Sequence, residues 1–113
     1  MKTMALPKSL LLCKPWQYQK VYAGGKRVRG PQFSLVLLGN DAGRSRLGIS
    51  IHGVRQAVRR NRIKRIIREF FRHNPTFIGV PTDVVFAVRS GFALDSPAEV
   101  ATAVRSMLER GRK

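Results

Sequence analysis

Between Arg55 and Arg72 eight basic residues meet a single acid, Glu69, and seven of the eight are arginines. A guanidinium presents five donors in a planar fork that matches paired phosphate oxygens, so this density of arginine points to a phosphodiester partner more than to a solvated face. On a wheel of about 100° per residue, Ile63, Ile66, Ile67, Phe70 and Phe71 fall within an arc of roughly 140° that has to face a core. Asn61, Lys64, Arg65, Arg68 and Arg72 line the opposite side at i, i+3, i+4, i+7 and i+11, a cationic ridge interrupted only by Glu69 near its flank. Val54, Ala57 and Val58 lie about half a turn from the apolar arc, which predicts a helix beginning near Val58 after a loop. Arg59, Arg60 and Arg62 then surround its N-terminus, where cations cost about a few tenths of a kcal/mol each against the positive end of the helix dipole. A phosphate reverses that penalty, because the exposed N–H groups and the guanidinium forks both favour it.

Acid–base chemistry is poorly supplied by comparison. Asp41, Glu69, Asp83, Asp95, Glu99, Glu109, His52 and His73 form no spacing that suits a general acid–base pair or clustered metal ligands, so an autonomous nuclease is not expected. His73 reads as a helix-end residue and His52 as a strand-end residue. Cys13 is the only cysteine, which excludes an internal disulfide and a multi-thiolate metal site within one chain, and it reads as a buried thiol.

The elements that must hold the ridge are separated by Gly and Pro. With 113 residues and 43% apolar content the chain fits one domain, residues 1–113, with a genuine core. Its net charge of +16 repels itself in the folded state and calls for a polyanionic partner. Residues 1–94 carry 18 basic and 3 acidic side chains, and residues 95–113 carry 4 and 3, so binding belongs to the first part. No apolar run approaches the ~20 residues of a membrane span, and no signal-peptide core is present, so a cytoplasmic protein with no membrane partner is expected.

Pro15 suits the first turn of a helix running to about Ala23 and stopping at Gly24-Gly25, with Tyr18, Val21 and Tyr22 on one face. Trp16 points to the other side of that helix. After the basic stretch 26–31, residues 33–38 and 47–51 read as strands on either side of the turn formed by Gly39, Asn40, Asp41 and Gly43. Residues 83–88 form another apolar, β-branched strand. Ser96, Pro97 and Glu99 make an S-x-x-E capping pattern before Val100, Ala103, Val104, Met107 and Leu108, a last helix with an apolar stripe. Helix, strand, strand, helix, strand, helix describes an α+β domain, with a mixed or antiparallel sheet and helices free to cover one sheet face.

Read together, residues 57–72 (AVRRNRIKRIIREFFR) resemble the RNR signature of the bacterial ribonuclease P protein subunit. Tyr18, Val21 and Tyr22 with Gly25 and Lys26 are similar to that family's aromatic N-terminal helix, residues 46–51 to its central strand and residues 83–89 to the strand that follows. The resemblance implies a βαβ unit with a left-handed crossover. It also implies a non-catalytic protein subunit of an endoribonuclease that assists a catalytic RNA, with its Mg²⁺, in removing the 5′ leader of precursor tRNA. One RNA and one protein would make the complex. By matching position, Arg59, Arg60, Asn61, Arg62, Lys64, Arg65, Arg68 and Arg72 would bind the catalytic RNA, and Tyr18, Tyr22, Phe33 and Arg46 would line a cleft for the single-stranded leader. The aromatic residues fit a core role equally well at this point.

The chain departs from the family where His52-Gly53-Val54-Arg55-Gln56 replaces the usual lysine pair and glycine and is one residue shorter. The lysine contacts and metal ligands of that loop are therefore not carried over, although Arg55 or His52 supplies charge there. The competing reading from another class is a ribosomal-type structural RNA-binding protein using the same ridge. A DNA-binding helix finds no helix-turn-helix pair or zinc-ligand spacing to support it.

Overall fold

The structure is a computed structural model and describes residues 10–41, 43–74, 77–79 and 81–111. In chain order the elements are α1 (Pro15–Gly24), β1 (Lys26–Val28), β2 (Phe33–Gly39), β3 (Arg46–Ile51), α2 (Ala57–His73), β4 (Thr82–Val88) and α3 (Pro97–Gly111). The sheet order is β1-β2-β4-β3, with β1–β2 and β2–β4 antiparallel and β3–β4 parallel. A parallel pair needs a crossover connection, and α2 supplies it between β3 and β4. Among the described residues no helix is long and apolar enough to cross a membrane.

Strands β2 and β4 read as nearly continuous apolar runs because both faces of the sheet are covered. On one face Phe33, Leu35, Leu47, Val84, Phe86 and Val88 pack against Ile63, Ile67, Phe70 and Phe71 of α2 and Val100, Val104 and Met107 of α3. Burying each of those aromatic rings contributes about 1.5–3 kcal/mol. On the other face Val36 and Val85 pack against Val21 of α1 and Leu12 just before it, with Tyr18 and Leu38 at the margin. The expectation that helices cover one face is thus corrected. Val36 and Val85 alternate with the residues of the larger core, and they would be stranded in water without α1.

The three helix starts differ in how their free N–H groups are met. Gln17 Oε1 accepts from the backbone N–H groups of Cys13 (2.7 Å) and Lys14 (2.9 Å), and Pro15 occupies the first turn of α1. At α3, Ser96 Oγ accepts from the N–H of Glu99 at 3.2 Å, while Glu99 reaches back to the N–H of Asp95 at 3.3 Å, one residue before the position that the capping pattern implies. The N-terminus of α2 has neither a side-chain cap nor an acid in its first turn. Two other expectations are corrected. Cys13 is exposed, because Leu12 takes the inward position of that extended segment. Residues 26–28 form a strand, antiparallel to β2, although only Val28 among them is buried.

Candidate RNA-binding surface

Helix α2 buries the five apolar residues of the predicted arc and turns its cations outward. Those cations fall into two groups. Arg60, Asn61, Arg65 and Arg68 are exposed and Lys64 half-buried, and among the described residues their side chains make no hydrogen bond or ion pair. They form the free part of the ridge. The other group is engaged within the protein: Arg59 donates to the carbonyls of Ser90 (2.7 Å) and Phe92 (3.1 Å), and Arg62 pairs with Asp95 at 3.1 Å. Both arginines thereby hold the segment after β4 against the first turns of α2. Arg72 donates to Glu69 at 2.6 Å, and His73 lies 3.1 Å from the same carboxylate. The Arg72 guanidinium, and after it His73, hold the Glu69 carboxyl below its ordinary range.

In the first turns of α2, Arg60 is exposed, and no acid or side-chain cap compensates the backbone N–H groups at the helix start. The arrangement favours an anion by both charge and hydrogen bonding. The separation between free cations along α2 follows the helical repeat, so several phosphates of one RNA strand or groove can be met at once.

On the opposite face of the sheet, the predicted cleft residues separate into four cases. Tyr18 is half-buried: its hydroxyl accepts from the N–H of Ile49 (3.2 Å) and donates to the carbonyl of Leu12 (3.3 Å). Its ring fills the space above Gly48, where a Cβ would lie 2.9 Å from the tyrosine Cε2, so only glycine lets α1 seat this deeply. Burial pushes the Tyr18 phenol above its ordinary pKa, against the opposing influence of the Ile49 N–H and, more weakly, the charge of Arg68.

Tyr22 is 36% exposed, and the Arg27 guanidinium sits 5.7 Å from its ring centroid, an aromatic and a cation together beside the sheet. Phe33 is corrected. It is 1% exposed and stacks on Phe86 at 5.3 Å in the α2–α3 core, on the far side of the sheet from α1. Arg46 lies on the α1 side, but its guanidinium is committed to Asp83 by two hydrogen bonds of 2.8 Å. Neither lines an open cleft.

Two residues that the sequence reading did not single out belong to this face. Arg27 stands opposite Val36 in the β1–β2 register and is thereby directed to the α1 side. Arg89 donates to Ser34 Oγ at 3.1 Å and to the carbonyl of Gly30, lying across the end of β2. Their signal was present only as unassigned charge in the stretches 26–29 and 83–89. His52, in the divergent loop, is exposed and contacts Ser50 at 3.0 Å.

Known proteins share both this sequence and this architecture. The sequence model of the family described as Ribonuclease P matches residues 6–112. The chain is 48% identical over 108 residues to the ribonuclease P protein component of Desulfotalea psychrophila, covering 95% of this chain and 90% of that one. It is 34% identical to the protein of the same name from Syntrophus aciditrophicus, covering 97% and 93%. Among solved structures, the RNase P protein of Staphylococcus aureus superposes with a TM-score of 0.75 at 25% identity, over 90% of this chain and 94% of that one. The RNase P protein of Thermotoga maritima gives 0.72 at 25% identity, over 96% and 97%. Matched by the family model over residues 6–112 and by a relative 48% identical over 95% of its length, this chain belongs to the ribonuclease P protein family.

Proposed function

We propose that the chain is the protein subunit of a bacterial ribonuclease P, binding the catalytic RNA through the free face of α2 and the 5′ leader of precursor tRNA along the α1 side of the sheet. The observation that carries this reading is the division of the α2 cations: Arg60, Lys64, Arg65 and Arg68 have no internal partner among the described residues, on a helix whose opposite side is a closed core. Unpartnered guanidinium groups in a chain of net charge +16 favour a polyanion. Tyr22 with Arg27 offers an unpaired nucleotide a ring to stack on and a cation for its phosphate.

The phosphodiester chemistry is assigned to the RNA and its Mg²⁺. Four of the protein's acids are already engaged: Asp83 with Arg46, Asp95 with Arg62, Glu69 with Arg72, and Glu99 at the start of α3. One protein and one RNA acting in the cytoplasm complete the proposal.

The test is multiple-turnover cleavage of a precursor tRNA by its cognate ribonuclease P RNA at low Mg²⁺, with and without the protein. Strong stimulation is expected, and it should vanish when Arg60, Arg65 and Arg68 are changed together to Ala while the far-ultraviolet circular dichroism is retained. The same triple variant should lower the slope of log affinity against log salt by roughly two to three units. No stimulation by the folded wild-type protein would leave a basic RNA-binding domain of the ribosomal kind.

A further inference from the structure

Between the N-terminal half of α2 and the segment after β4 lies a cleft of about 270 Å³. Ile63 and Ile66 of α2 line it together with Phe92 and Leu94 of the segment, and these four, buried or half-buried, make an apolar floor. Arg59, Arg62 and Asp95 also line it, and all three are exposed, so the mouth is charged. An engineered apolar cavity of about 150 Å³ takes up benzene, so this space admits a flat ring system. An apolar floor under a guanidinium suits a nucleotide, which carries a flat base and a phosphate on one unit.

One wall of the cleft is built in advance. Arg59 donates to the carbonyls of Ser90 and Phe92, the Phe92 N–H donates to the carbonyl of Arg89 at 3.1 Å, and the Ala93 N–H donates to Gln32 Oε1 at 2.7 Å. A ligand therefore has no loop to order before it binds. The mouth is held more weakly. Arg62 and Asp95 meet at 3.1 Å with side chains 61% and 73% exposed, and a pair in that setting contributes little, so a phosphate replaces the carboxylate on Arg62 at small cost.

The position of the cleft says which RNA supplies the nucleotide. Arg65, exposed and without an internal partner among the described residues, follows Arg62 by three positions and neighbours it on the helix surface. An RNA lying on the free ridge therefore passes the mouth. The leader, in the reading above, runs on the α1 side of the sheet, whereas Phe92 packs against Phe33 at 6.0 Å in the α2–α3 core on the other side. We propose that this cleft seats one unpaired nucleotide of the catalytic RNA, its base over Ile63, Ile66, Phe92 and Leu94 and its phosphate on Arg62 in place of the Asp95 carboxylate. This rests on the subunit reading and adds to it a single-nucleotide contact beside the ridge.

Ala93 is exposed and lines the cleft, so a large side chain there closes it without entering the core. Binding of ribonuclease P RNA is measured for wild type, Ala93→Trp and Arg62→Ala, with urea unfolding as the check on the fold. The 2′-hydroxyl reactivity of the RNA is then read nucleotide by nucleotide with each protein at saturation. Wild type should protect one unpaired nucleotide that Ala93→Trp leaves reactive, with the rest of the footprint unchanged. Ala93→Trp should weaken binding about tenfold, the worth of one stacked base, at an unaltered salt slope. Arg62→Ala should lower that slope by about one unit. Should Ala93→Trp unfold, Ala93→Leu obstructs the cleft with a smaller side chain and carries the same test.

A footprint that is the same for wild type and the folded Ala93 variants, or affinity within about twofold of wild type, would overturn the proposal and leave the subunit reading standing. Protection lost across the whole footprint would also overturn it, since the substitution would then act by displacing α2. Failure of the folded wild-type protein to bind its cognate ribonuclease P RNA would bring down the subunit reading and this site with it.

Discussion

Two arginine–aspartate pairs tie distant parts of this chain together, and they differ in what surrounds them. Arg46 and Asp83 stand opposite each other in the β3–β4 register, with two bonds of 2.8 Å, a third from Asn40 to the same carboxylate, and an aspartate side chain only 6% exposed. Arg62 and Asp95 meet at 3.1 Å with side chains 61% and 73% exposed. The ionic chemistry is the same. Burial of the carboxylate makes the first a structural latch at one end of the sheet, since removing Arg46 would leave a buried charge without its charge partner. Exposure makes the second a contact worth little in folding, on an arginine beside the free ridge, where a bound phosphate would compete with the carboxylate.

Three experiments sharpen or break that contrast. The largest effect is expected for Asp83→Ala, which removes the charged acceptor of three hydrogen bonds and should cost about 3 kcal/mol in urea unfolding. A loss below about 0.5 kcal/mol would mean that water replaces the carboxylate easily and that the two pairs are alike. Tyr18→Phe should cost less, about 1–2 kcal/mol, because the Ile49 N–H loses its acceptor. That variant also changes the alkaline limb. A phenol whose folded-state pKa is raised favours the folded protein fully below pH about 10, and the advantage is lost as pH rises through the folded value. Wild type should therefore lose stability above pH 10 more steeply than Tyr18→Phe, and parallel curves would remove burial of the phenol as the cause.

The smallest effect on stability is expected for Asp95→Ala, within about 0.5 kcal/mol of wild type. RNA affinity should rise about two- to threefold as Arg62 is released. Weaker RNA binding would show that Asp95 positions Arg62 and does not mask it.

The ridge helix was legible in the sequence because its burial is periodic and local: every residue of the Ile63-to-Phe71 arc is inside. What the arginines do there was only half legible. Arg59 bonds to backbone carbonyls of residues 90 and 92, and a carbonyl has no residue type to betray it in a sequence. Arg46 and Asp83 lie 37 residues apart, and only the strand register brings them together. Phe33 went to the wrong side because a continuous apolar run does not say which of its alternating residues faces which layer. Strand β1 was hidden by its own composition, since Lys26 and Arg27 carry no apolar alternation and it is recognisable only as a short partner of β2.

The way Tyr18 is seated has a consequence for the free protein. Strand β3 is an outer strand, and its groups on that side are the ones another sheet would seek first. The Leu47 carbonyl is taken by the N–H of Leu12 at 2.8 Å, and the Ile49 N–H by the tyrosine hydroxyl at 3.2 Å. The other outer strand, β1, is three residues long and exposes a lysine and an arginine. A chain waiting for its RNA thus carries a sheet whose borders are occupied at one side and charged at the other, and it is guarded against self-association and aggregation before any RNA arrives.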